Sequence, residues 1–411
     1  MAAEYFTAIG LRPAAVGYTS LLHGPTFLKI VWSPLVSLVG TLRTWMIATQ
    51  AAMGVVVGLL AVLAHRAAQS ADPSATTAQI WVVLVVIGVL SATHDIACDG
   101  YYLEALEPDE QARFSGARVA AFRAAMLVGA SGLVFLGGQL NWLLAFGLGA
   151  LLLVGLAIAH RAFLPEPNAD FAGTPVSPSQ EPSSASKARA GLSHVGDAYR
   201  SFLRQDRVLL VIAFLLTYKM ADVVMFAMSK VFFARELGIG TALRGGLVNP
   251  IATLSSIAGA ILGGAWIARR GLERTLFPIT FVMAVTAPLY ALLAHFAPVL
   301  DMARDGVPVT PEALAARDVL PLTLVLITVV IEQVCGGLAT AAQMVFIMRR
   351  CHPNHKAAHF AFATAVYSAA QMAVGAYSGA LYERVGPVVY FWIVTVLTLP
   401  ALLLAVLVPK T

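Results

Sequence analysis

The chain is 411 residues long, 59% hydrophobic and only 12% charged, with a mean hydropathy of +0.79. That much apolar surface excludes a soluble globular protein and defines an all-α polytopic membrane protein, because a helix satisfies its own backbone in lipid. The net charge of +5 is read as Lys and Arg gathered in loops on one membrane face, not as a nucleic-acid surface.

Runs long enough to span are predicted at 21–39, 45–63, 80–98, 117–136 and 142–162. After an interruption they resume at 209–231, 247–267, 276–294, 320–347, 360–381 and 388–408, about eleven helices in all. The interruption, rich in Pro, Ser, Ala and charge, is a linker; it divides the chain into a first half at 1–163, a linker at 164–207 and a second half at 208–411. A second polar insertion covers 298–318. Arg43, Arg161, Arg269, Arg270, Arg349, Arg350 and Lys410 belong to the loop set that carries most of the basic residues, so this set and the C-terminus are expected in the cytoplasm. Cys98, Cys335 and Cys351 lie in or beside apolar runs, so no disulfide is expected. The N-terminus shows no basic region ahead of an apolar core, so no cleavable signal peptide is expected.

Ionisable residues inside these runs are the candidates for function, since each costs roughly 2.5–3.5 kcal/mol at a helix centre. Lys29 sits in Phe27-Leu-Lys-Ile-Val-Trp-Ser-Pro-Leu35, either snorkelling to an interface or meeting an anionic solute or a carboxylate of another helix. Asp95 and Asp99 stand four apart in Thr93-His-Asp-Ile-Ala-Cys-Asp-Gly-Tyr-Tyr-Leu-Glu104 and so share a helix face. They lie too near a span end for a central site and are expected to form a gate, with Arg118 or Arg123 of the next helix, or a basic residue ending the penultimate span, as cation. Lys219 and Asp222 stand three apart near mid-span, either a self-neutralising structural pair or part of a solute site. Glu332, beside Gln333 and followed by Gly336 and Gly337, is again near mid-span, either functional in its own right or a structural mate for Lys219. The glycines permit close helix approach or local unwinding. Gly259/Gly263 and Gly375/Gly379 read as packing pairs. The histidines have no metal-site spacing, and GxxxxGK[ST], HExxH and GxSxG do not occur, so an ATP-driven pump is not expected.

The segments at 27–35, 93–106, 217–222 and 332–342, in this order and spacing, resemble the AmpG-type muropeptide permeases. These are a branch of the major facilitator superfamily that also holds acetyl-coenzyme A transporters and some siderophore permeases. The resemblance implies two helical halves around a central cavity, working by alternating access, with about eleven of twelve helices present. The first family helix is expected to be absent, residues 1–18 resembling the external loop that follows it. Ser37 stands where the family has an acid, and the basic loop after it is short. Lys29, Asp95, Asp99, Lys219, Asp222 and Glu332 match charged positions of the family.

The expected function is proton-coupled import, across the bacterial inner membrane, of a cell-wall anhydromuropeptide or a similar amphipathic anionic solute, as in peptidoglycan recycling. Acetyl-coenzyme A or a siderophore is the alternative cargo; a membrane-embedded transferase or a transport-dead sensor is the alternative class. Lys29, Lys219, Asp222, Glu332 and Gln333 are the expected solute and coupling residues, and Asp95, Asp99, Arg118 and Arg123 the gate. The chain is expected to be no enzyme, to use no metal or cofactor, and to work as a monomer with solute, protons and lipid as its partners.

Overall fold

The computed structural model describes residues 1–70, 74–106, 121–165, 199–297, 320–352 and 356–409. Most of the linker, the insertion after residue 297, Arg118 and Lys410 lie outside these residues. The described chain is helical throughout. Two short helices, α1 (Ala2–Ala8) and α2 (Pro13–Gly17), precede α3 (Gly24–Leu38), α4 (Leu42–Gln69), α5 (Ser74–Ala105), α6 (Ala121–Gln139) and α7 (Trp142–Phe163). After the linker come α8 (Val208–Thr217), α9 (Met220–Arg235), α10 (Thr241–Arg270), α11 (Leu272–His295), α12 (Leu320–Arg349), α13 (Lys356–Val396) and α14 (Leu399–Leu407).

Among the described residues, nine helices are long and apolar enough to cross a membrane. One of them, Phe362–Leu407, holds two of the predicted runs, because Gly386 at φ 74° followed by Pro387 breaks the helix where an L side chain would be strained. Counting α3, every predicted run therefore coincides with a helix. Two runs are interrupted: the expected continuous helix at 388–408 breaks between α13 and α14, and that at 209–231 between α8 and α9, with Lys219 at φ −108° and ψ 10°.

The chain forms two compact units, Leu22–His194 with Met1, and Ala2–Leu21 with Val195–Thr411. In the first, α4 packs on α5 and α7, and α3 on α5. In the second, α10 and α12 cross backbone to backbone. A Cβ on Gly259 would stand 2.0 Å from the Val334 carbonyl oxygen, and one on Gly337 2.3 Å from that of Ser256. The glycines thus serve close approach, and α12 runs unbroken past Gly336 and Gly337. An aromatic core, Phe202, Phe214 and Phe346, fills one end of this unit.

The N-terminal segment, expected with the first half, packs instead within the second unit. Three features hold it there. A Cβ on Gly379 would lie 2.0 Å from the Pro13 carbonyl oxygen, so α2 lies directly on α13. The Ala14 amide donates to Glu383 at 3.0 Å, and Arg235 Nη2 donates to the carbonyls of Gly10 and Leu11 at 3.1 and 2.6 Å. Finally, Glu4 and Arg244, side chains 1% and 2% exposed, form an ion pair at 3.0 Å. Burial alone would raise the Glu4 carboxyl, but Lys230 and Arg244, with the Arg244 hydrogen bond, hold it below the usual carboxylate value.

Candidate functional site

The second unit brings Lys219, Asp222, Glu332 and Gln333 together. Lys219 stands at the α8–α9 break, so its side chain leaves a backbone not committed to helix, and Asp222 follows in the first turn of α9. The Lys219 ammonium donates to Asp222 Oδ2 and, at 3.0 Å, to the carbonyl oxygen of Gly336 on α12. Glu332, one turn before Gly336 on the same helix, is 5% exposed and accepts from Gln333 Nε2 at 2.7 Å.

The three charged groups converge on the space beside Gly336. A Cβ there would lie 3.5 Å from Asp222 Oδ2, 3.6 Å from Glu332 Oε1 and 3.8 Å from Lys219 Nζ. Two carboxylates and one ammonium thus face the same point. If both acids ionise, one negative charge is left over inside the protein. A buried carboxylate without a cation is costly, so binding a proton or meeting a cationic group on a solute relieves the site.

The sequence reading missed three contributors here. The Gly336 carbonyl is a second acceptor for Lys219 beside Asp222, and Tyr290 and Tyr367 carry phenols within the electrostatic reach of Asp222. No side-chain pattern betrays a carbonyl acceptor; the tyrosines were lost among apolar residues, though a polar tip in a spanning run is a readable signal.

In the first unit, Lys29 on α3 forms an ion pair with Asp95 on α5, and Trp32 Nε1 donates to Thr93 at 3.2 Å. Of the readings open for Lys29, the geometry selects a carboxylate of another helix, and that carboxylate is Asp95, for which Arg118 or Arg123 is the partner expected from the sequence. The adjacency of α3 and α5, far apart in sequence, is the reason. The pair is open, with side chains 29% and 50% exposed. Asp99 is half-buried one turn further along α5, and Arg123 is partly exposed near the start of α6. Arg118 lies outside the described residues. Among those residues, no group of three His, Cys, Asp or Glu side chains is placed to hold a metal ion.

Buried ionisable groups on spanning helices define the class of a polytopic membrane protein that handles charge within its interior. The family model of the Major Facilitator Superfamily matches residues 3–307, and the chain belongs to that superfamily: it is a multi-pass membrane transporter, not an enzyme. Among curated proteins it is similar to the anhydromuropeptide permease of Escherichia coli (strain K12), 24% identical over 413 residues covering 99% of this chain and 75% of that protein. It is also similar to the putative transporter AmpG 4 of Rickettsia conorii (strain ATCC VR-613 / Malish 7), at 22% identity covering 91% and 83%. A solved POT family transporter in complex with 5-aminolevulinic acid shares the fold with a TM-score of 0.67 at 11% identity, covering 99% of this chain and 92% of that one.

Proposed function

We propose that this transporter imports an anhydromuropeptide or a similar amphipathic anionic solute across the bacterial inner membrane in symport with protons, by alternating access and with its C-terminus in the cytoplasm. The observation that carries the proposal is the convergence of one ammonium and two carboxylates on the space beside Gly336. Lys219 offers its charge to a peptide carboxylate of the solute. Asp222 already has Lys219 as a partner, so Glu332, supported by Gln333, is the acid that takes and releases the coupling proton. The open Lys29–Asp95 pair and Asp99, with Arg118 and Arg123 nearby in sequence, serve as the gate. The E. coli relative named as an anhydromuropeptide permease supports the choice of cargo.

The test is uptake by proteoliposomes under an imposed inward proton gradient. Labelled anhydromuropeptide is expected to accumulate, and a protonophore to abolish the accumulation. Accumulation of acetyl-coenzyme A in preference, or muropeptide uptake indifferent to the gradient, contradicts the proposal.

A further inference from the structure

On the transport function proposed above, a bound anionic solute makes three carboxylates share one ammonium. Lys219 already donates to Asp222 Oδ2 and to the Gly336 carbonyl, which also accepts from the Thr340 hydroxyl at 2.8 Å. When the ammonium turns to the solute, and Glu332 is neutralised by its proton, Asp222 keeps its charge with only a share of its cation. A buried carboxylate in that position needs another donor.

The helix α13 has one to offer. Tyr367, Gln371 and Gly375 recur at four-residue spacing and so share one helix face. A Cβ on Gly375 would meet Ser20 Oγ at 2.5 Å and Val223 Cγ1 at 3.6 Å, and Val223 is the residue next to Asp222 on α9. Gln371 and Tyr367, one and two turns before Gly375, are half-buried, and the Tyr367 phenol lies within the electrostatic reach of Asp222. Gln371 Nε2 donates to the Tyr367 hydroxyl oxygen. The phenol then has its own hydrogen left to give, and accepting one bond polarises that O–H as a donor. Tyr290 on α11 also feels Asp222, but it feels Glu332 more, and its ring is packed against Phe233 and Phe391, with centroids 6.0 and 5.4 Å apart.

We propose that Tyr367, aimed by Gln371, is a positioning residue that donates its O–H to Asp222 when Lys219 turns to the solute. The hydrogen bond keeps Asp222 ionised through the transport cycle and leaves proton exchange to Glu332. Neither Tyr367 nor Gln371 carries a charge, so the pair steadies the charge balance without altering it.

The test is isothermal titration of the full-length transporter in nanodiscs with anhydromuropeptide, arranged as a double-mutant cycle. Tyr367→Phe is expected to weaken binding about tenfold, the worth of a hydrogen bond to a charged group. Added to Asp222→Asn, the same change is expected to cost nothing further, since no carboxylate is left to serve. A role in packing alone would cost the same in both backgrounds, so equal losses overturn the proposal, as does unchanged binding in Tyr367→Phe. Where Asp222→Asn fails to assemble, Gln371→Leu supplies the second reading: about threefold weaker binding alone, and no further loss on top of Tyr367→Phe. Additive losses in that pair overturn the proposal too. A wild-type protein that binds no anhydromuropeptide contradicts the proposed cargo and removes this role with it; wild-type binding with equal losses across the cycle strikes the role of Tyr367 alone.

Discussion

Lys219 and Lys29 each hold an aspartate, yet they stand in unlike surroundings. The second unit's Lys219–Asp222 pair has side chains 9% and 18% exposed, touches a backbone carbonyl and faces a second carboxylate. The first unit's Lys29–Asp95 pair is 29% and 50% exposed. An open pair contributes about 0–1 kcal/mol, and either charge is solvated when the two part. A buried pair resists separation, and losing one member costs about 3–5 kcal/mol. The same two residue types therefore suit opposite tasks. The buried group holds a charge imbalance, which suits the proposed coupling site; the open pair makes and breaks at little cost, which suits the proposed gate.

The largest effect is expected where the packing that creates the buried group is disturbed. Gly337→Val should prevent assembly, because a β-carbon there meets the Ser256 carbonyl oxygen at 2.3 Å, while Gly336→Ala should fold, its contacts lying at ordinary distances of 3.5 Å and beyond. Membrane yield and monodispersity after solubilisation separate the two. A Gly336→Ala protein that folds and transports normally would break the link drawn between that space and the solute.

Next comes the fully buried Glu4–Arg244 pair, a third point on the same scale. Arg244→Met should cost about 3–5 kcal/mol, since it leaves the Glu4 carboxylate without its hydrogen-bonded cation. Because the folded Glu4 carboxyl is held below its ordinary value, its contribution is present above that value and fades as pH falls through the lower, folded one. Limited proteolysis near the N-terminus should therefore increase at strongly acid pH, and this acid-dependent step should vanish in Glu4→Gln. An identical profile in both proteins contradicts the assignment.

Lys219→Ala should raise the Kd for an anionic solute roughly 10- to 100-fold, the worth of a hydrogen bond to a charged group, as read by isothermal titration. Smallest in stability is Asp95→Asn, with a change within about 1 kcal/mol and a slowed transport cycle. Normal transport across pH would leave the pair with packing alone.

These regions were unequally legible in the sequence. The spanning helices and their buried charges could be read, because lipid demands long apolar runs and makes each exception conspicuous. The break at Lys219 could not, as no Gly or Pro marks it in Thr217-Tyr-Lys-Met220. The docking of the N-terminal segment was equally hidden. Helices of seven and five residues show little periodicity, and Glu4 meets Arg244 across 240 positions. Gly375 and Gly379 read as a packing pair, but the sequence does not name their partners, Ser20 and Pro13, and residues 1–18 read there as an external loop. Lys29 and Asp95 were each singled out, and only the adjacency of α3 and α5 joins them.

The central claim is that the unmatched carboxylate of the buried group carries the coupling proton, and Glu332→Gln in proteoliposomes tests it most directly. The amide mimics the protonated acid and keeps its shape, so binding and counterflow exchange of solute should persist while accumulation driven by a proton gradient is lost. Glu332→Gln vesicles that still concentrate solute against its gradient when protons are driven inward would contradict the account, and would pass the role to Asp222.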